Sequence, residues 1–224
     1  MDLYHVLNRG VDGRDIFLNT SDYARFIHNL YEFNDEKPAG NAYRRFSPSK
    51  PMMDLRSPSF RKLVDIHAWC LMKNHYHLLL SERVDGGITA FIRKLNIGYA
   101  KYFNEKNARK GTLFQGRTKK ILVESEPHFL YIFHYIHLNP LDYVPKAKDW
   151  RIRSKEHGIT DVKAAIEYLE KYRWSSYLDY CGTKNFPSIL TTDFFRETFP
   201  DYKKEIMAYL RSAEEKETPV FQLE

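Results

Sequence analysis

The sequence predicts an α+β fold: an antiparallel sheet in the split order β-α-β-β-α-β, with a helical extension behind it. Three observations predict it. Runs rich in β-formers recur at 3–8, 63–72, 75–81 and 113–124, helical periodicity fills the stretches that the order requires, and the composition turns basic after Asp142 before helical patterning resumes. With 224 residues, 43% of them apolar and 29% charged, the chain can bury one substantial core with an appendage. The expected organisation is a sheet domain over 1–142 carrying a basic, proline-rich insertion at 35–60, then a basic linker and a mostly helical extension over 143–224.

The first strand, 3–8, ends in the glycine-punctuated turn Arg9-Gly10-Val11-Asp12-Gly13-Arg14. A helix capped by Thr20, Ser21 or Asp22 follows, with Tyr23, Phe26, Ile27, Leu30 and Tyr31 on one stripe. Strands 63–72 and 75–81 pair across a turn at Lys73-Asn74. A long helix then fits 88–107, burying Ile88, Phe91, Ile92, Leu95, Tyr99, Tyr102 and Phe103 while Arg93, Lys94 and Lys101 face solvent. The last strand candidate, 113–124, is interrupted by Gly116. Ser125 caps a helix over 126–138, anchored by Phe129, Leu130, Phe133 and Ile136 and stopped by Pro140. This element order is that of ferredoxin-like sheets, with helices on one face and the other face left for a ligand.

Composition narrows the function classes. Lys and Arg total 35 against 29 Asp and Glu, a net charge of +6 that permits a nucleic-acid partner without requiring one. Sixteen Tyr, fifteen Phe and three Trp are enough to fill a core and leave rings over for stacking on unpaired bases. Two cysteines build neither a disulfide framework nor a four-cysteine zinc site, no run approaches a membrane-spanning length, and the first residues carry no secretion signal. The expectation is a cytoplasmic protein.

The chemistry-bearing residues fall in two elements. His75-Tyr76-His77 lies within a predicted strand, whose alternation sends both imidazoles to one face and Tyr76 to the other. Two imidazoles on one face suit a divalent ion, and equally suit a buried hydrogen-bonding pair. On the helix 126–138 and its exit, Tyr131, Tyr135 and Asn139 recur every fourth residue along one face. Tyr135 and Asn139 also have a plain structural use, as a packed phenol and a C-terminal cap. Two histidines, an amide oxygen and open positions suit Mg²⁺ or Mn²⁺ shared with substrate phosphate. A phenol activated beside such an ion can attack a phosphodiester, leaving a 5′-phosphotyrosine and a free 3′-OH.

Several motifs occur in order: Tyr4-His5-Val6-Leu7-Asn8-Arg9-Gly10, then Cys70-Leu71-Met72-Lys73-Asn74-His75-Tyr76-His77-Leu78-Leu79, then Tyr102-Phe103-Asn104 leading to Gly111-Thr112-Leu113-Phe114-Gln115-Gly116-Arg117. Tyr135-Ile136-His137-Leu138-Asn139-Pro140 and Trp174-Ser175-Ser176-Tyr177 complete the set. In these motifs, over nearly its whole length, the chain resembles the single-tyrosine HUH transposases, within them the REP-associated tyrosine transposases. The resemblance implies the HUH endonuclease version of the ferredoxin-like sheet. It makes His75 and His77 the paired metal ligands, Asn139 the polar residue completing the Mg²⁺ or Mn²⁺ site, and Tyr135 the nucleophile, with Tyr131 one turn earlier as the alternative. It implies a substrate of single-stranded DNA beside a repeat-like hairpin, cut and rejoined in a prokaryotic cytoplasm at the nucleoid; the chain is expected to be a monomer or a homodimer, the monomer favoured, with Tyr135 serving its own or a partner's histidines. Arg9, Arg14, Gln115, Arg117, Lys119 and Lys120 are candidate DNA contacts. Lys73 departs from the pattern, which has proline there, and the insertion at 35–60 is outside it. Two other classes stay open: a domesticated or non-catalytic module binding single strands or hairpins, and a metal-dependent nuclease that uses water.

Overall fold

The computed structural model describes residues 1–37, 60–151, 159 and 161–212; most of the proline-rich insertion predicted at 35–60 lies outside them. Four strands, β1 (Leu3–Arg9), β2 (Val64–Met72), β3 (His75–Glu82) and β4 (Lys119–Leu122), form one sheet in the order β2-β3-β1-β4 with every neighbour antiparallel. Helix α1 (Thr20–Glu32) joins β1 to β2, and α2 (Gly87–Lys106) joins β3 to β4. Both connections skip a strand, which is the split β-α-β arrangement expected from the sequence. Beyond β4 come α3 (Glu126–Leu138), a 3-10 turn Asn139–Tyr143 and a second one Lys148–Arg151. The extension follows as α4 (Val162–Lys171), α5 (Tyr177–Tyr180), α6 (Asp193–Thr198) and α7 (Tyr202–Arg211).

Helices α1 and α2 cover the face carrying Tyr76, whose ring packs 5.0 Å from Phe26 and whose hydroxyl donates to Asn96 Oδ1 at 2.8 Å. Gly98 lets the two helices meet, because a Cβ there would stand 2.3 Å from the Phe33 ring. The histidine-bearing face is covered as well, by α3, which corrects the expectation of one face left for a ligand. Helix α3 is too apolar to lie on the surface: Ile132, Phe133, Tyr135, Ile136 and Leu138 are all buried. Ser125 caps it as expected, accepting from the His128 amide.

Other local expectations shift for identifiable reasons. Asn19, not Thr20, Ser21 or Asp22, occupies the N-cap of α1; Asp22 instead accepts the Leu18 amide and pairs with Lys106 of α2 at 2.5 Å. The strand expected over 113–124 contracts to β4, since Gly116 takes φ +61° and breaks the ladder, leaving a lone bridge between Gly10 and Phe114. Leu130 is exposed and anchors nothing, and Lys94 is tied to the Lys37 carbonyl at 2.9 Å instead of facing solvent.

The extension is sewn to the sheet. The amides of Leu71, Ser176 and Thr191 bond the carbonyls of Trp174, Trp69 and Ile66 at 2.9, 3.0 and 2.9 Å, so the outer edge of β2 is satisfied by chain from the extension. A buried junction ties α3 into the same layer: His137 lies 2.7 Å from Ser176 Oγ and 2.8 Å from Tyr202 Oη. Burial pushes this imidazole from its ordinary 6.5 down to about 3, with His134 adding to the effect. Its ring is neutral in the fold but takes up a proton in the unfolded chain below 6.5. The unfolded state therefore binds more protons between those values, and stability falls as pH falls through that window. Urea unfolding at about pH 7.5 and about pH 5 is expected to show a lower midpoint at the acid value, and equal midpoints would refute a neutral buried junction. Among the described residues, no helix is long and apolar enough to cross a membrane.

Candidate active site

The register of β1 on β3 sets Leu7 opposite His77 and Arg9 opposite His75, so both histidines project from the face beneath α3. Their rings stand 4.8 Å apart and perpendicular. Each is oriented by a neighbour: His75 Nδ1 lies 2.6 Å from Asn74 Oδ1, and His77 Nδ1 lies 2.9 Å from Nε2 of His5, with the His5 and His77 rings stacked at 5.1 Å. The Asn74 oxygen only accepts, so His75 carries its proton on Nδ1 and keeps the lone pair on Nε2. Burial holds the His77 imidazole well below its ordinary value, helped by the neighbouring His75 and His5 rings, against which a second positive charge would be repelled, and by the guanidinium charges of Arg151 and Arg9. Burial likewise lowers His5 to about 3, aided by His128, His75 and Lys119. Neutral imidazoles are the form that ligates a metal.

Helix α3 lays Tyr135 across this pair, its ring edge-on to His77 at 5.5 Å and to His5 at 6.0 Å. Tyr131 packs one turn earlier, 5.7 Å from Tyr135. Asn139, fully buried, donates from Nδ2 to the Tyr135 carbonyl at 2.7 Å, which fixes its amide and aims Oδ1 away from the helix axis. That oxygen accepts from Arg151 at 3.0 Å.

Among the described residues, no group of three or more His, Cys, Asp or Glu side chains is placed to hold a metal, so any ion here rests on the two histidines and an amide oxygen. The donor set fits such an ion. His77 Nε2 is buried with no hydrogen-bond partner among the described residues, a cost that a bound cation would remove. Asn139 Oδ1 retains a second lone pair beside the bond from Arg151.

The candidate DNA contacts divide by face. Arg9 and Lys119 share the histidine face, and both act electrostatically on the buried imidazoles. Lys120 points to the opposite face, over the Tyr4 ring at 4.2 Å and 3.6 Å from Glu82. Arg14, Gln115 and Arg117 are exposed in the loops at the same end of the sheet, where the Gln115 amide bonds the Arg9 carbonyl at 2.8 Å.

Two participants were not among the sequence candidates. His5 orients His77, and its signal was present as a histidine in a strand pattern, but only the strand register reveals its partner. Arg151 sat in a basic linker indistinguishable by composition from a solvated one. It reaches back from the turn Lys148–Arg151 onto Tyr135, Asn139 and Asp142.

Residues 56–139 match the family model described as Transposase IS200 like. Among solved structures, a REP-associated tyrosine transposase bound to a REP hairpin is similar to this chain, with 14% identity over 86% of both chains and a TM-score of 0.49. Among curated proteins, none matches. The matched segment holds His75, His77, Tyr135 and Asn139 together.

Proposed function

We propose that this chain is a metal-dependent transposase or endonuclease that cuts and rejoins single-stranded DNA beside hairpins through a covalent 5′-phosphotyrosine on Tyr135. The observation that carries the reading is the Tyr135 ring edge-on to His77 at 5.5 Å, inside a segment matched by a transposase family. His75, His77 and Asn139 would hold Mg²⁺ or Mn²⁺. When bound, the ion would polarise the phosphodiester and stabilise the departing 3′ oxygen. Tyr135 attacks phosphorus as the bond to the 3′ oxygen breaks; the phenolic proton leaves to water and the 3′ oxygen takes one from water. The phosphoester energy stays in the tyrosine linkage, so a 3′-OH can reverse the step and rejoin a strand.

Asn74 keeps His75 in its ligating tautomer and His5 holds the His77 ring in place, and Tyr135 lies beside the histidines of its own chain, so a monomer contains every named group. Arg9 and Lys119 on the histidine face lead the DNA backbone toward the site, with Arg14, Gln115 and Arg117 continuing the path around the sheet end; Lys120, on the opposite face, lies off this path. REP-like hairpins follow from the motif resemblance.

The test is incubation with hairpin DNA labelled 3′ of candidate cleavage positions, in Mg²⁺ or Mn²⁺, followed by denaturing electrophoresis. Label migrating with the protein, and lost on chelation, is the expected result. Cleavage without an adduct would replace this reading with a nuclease that uses water, and hairpin binding without cleavage would replace it with a binding module.

A further inference from the structure

We infer that Arg151 is a further catalytic residue of this reaction, gripping the scissile phosphate while it contacts the nucleophile. The inference rests on the transposase reading above. The guanidinium lies 5.4 Å from the centroid of the Tyr135 ring. It donates to Asn139 Oδ1 at 3.0 Å, pairs with Asp142, and stacks 4.2 Å over Trp150, whose indole N–H donates to the same carboxylate at 2.8 Å. One planar group thus touches the proposed nucleophile, the proposed amide ligand and an acidic partner.

The arrangement differs from an ordinary surface ion pair in two ways. First, Tyr135 is 2% exposed and Asn139 is fully buried, whereas the Arg151 side chain keeps 32% of its surface open. Arg151 and Asp142 are therefore the solvent-facing edge of the cluster, and of the two only the guanidinium attracts a phosphate approaching Tyr135. Second, the Asp142 carboxylate is itself about one-third open, at 33%, and a pair so exposed contributes little to stability. A phosphodiester, which presents two oxygens in much the same geometry, can replace Asp142 on the guanidinium fork at small cost. The fork then holds phosphorus beside the Tyr135 hydroxyl and offsets the charge that develops on the phosphoryl oxygens. As the bond from Tyr135 to phosphorus forms and the bond to the 3′ oxygen breaks, Arg151 keeps its protons; those transfers remain with water. Trp150, buried and 5.7 Å from Tyr135, supports the guanidinium from beneath.

The test is single-turnover adduct formation at saturating hairpin DNA with Arg151→Ala and Arg151→Lys in the full chain, with DNA affinity measured in parallel. Arg151→Ala is expected to lower the rate about 100-fold, in the range seen when one transition-state donor is removed, with affinity changed less than about 3-fold, the loss of a partly exposed phosphate contact. Arg151→Lys, a charge without the fork, is expected to retain an intermediate rate. Added guanidinium ion at millimolar concentration is expected to raise the rate of Arg151→Ala and not that of the wild type. An unchanged or faster Arg151→Ala, as for a residue that merely covers Tyr135, would overturn the role while leaving the transposase reading standing. So would a loss confined to DNA affinity. If wild-type protein forms no adduct, the reading and the inference fall together.

Discussion

Tyr135→Phe is expected to abolish the covalent protein–DNA adduct, lowering strand cleavage by more than about 1,000-fold while leaving hairpin binding and the fold intact. The substitution removes one oxygen from a ring that keeps its packing against His5, His77 and Trp150, so a loss of activity is hard to attribute to unfolding. The size follows from the role: a covalent path without its nucleophile must wait for water, and each 1.4 kcal/mol of added barrier is about tenfold in rate. Tyr131→Phe provides the contrast. Tyr131 shares the helical face but packs 5.7 Å from Tyr135, and its variant is expected to cleave within about 3-fold of wild type, the scale of a lost surface contact. A normal adduct in Tyr135→Phe and none in Tyr131→Phe would transfer the nucleophile by one helical turn.

The site was legible in the sequence where it follows from local periodicity. The alternation of β3 was enough to put His75 and His77 on one face, and the helical repeat was enough to align Tyr131, Tyr135 and Asn139. Which strand face α3 would cover was not legible, because that depends on how its apolar surface is packed at the level of whole elements. The consequence was an expected open face that is in fact roofed. His5 was hidden for a similar reason: its distance to His77 depends on the β1–β3 register, a pairing between residues seventy-two positions apart. Arg151 was the least legible. A lysine- and arginine-rich stretch without periodicity reads as solvated linker, and only the short turn Lys148–Arg151, held by Trp150 and Asp142, folds it back over Tyr135. The same limit operated at β4, where β-propensity extended the strand and a left-handed Gly116 cut it short.

His77→Ala is expected to remove both metal binding and cleavage, and the two losses need separate measurements. Of the two imidazoles, His77 is fully buried and has an Nε2 without a hydrogen-bond partner among the described residues. A buried acceptor of this kind costs about 1–3 kcal/mol when nothing satisfies it, so the fold maintains it at the expense of stability. Truncation to alanine is expected to lose Mn²⁺ binding, read by calorimetry or by the ion's electron paramagnetic resonance, together with a loss of stability from the cavity and from the unpartnered His5 Nε2, which urea unfolding reads separately. Cleavage is expected to fall about 1,000-fold, since a Lewis acid supplies several kcal/mol of charge stabilisation. His5→Ala distinguishes orientation from ligation. His5 touches the Nδ1 edge of His77, and removing a residue that orients a ligand typically weakens metal affinity by about 10–100-fold without abolishing it. A protein that binds Mn²⁺ equally well with and without His77, yet loses cleavage, would make the histidine pair a structural support for Tyr135 and not a metal site.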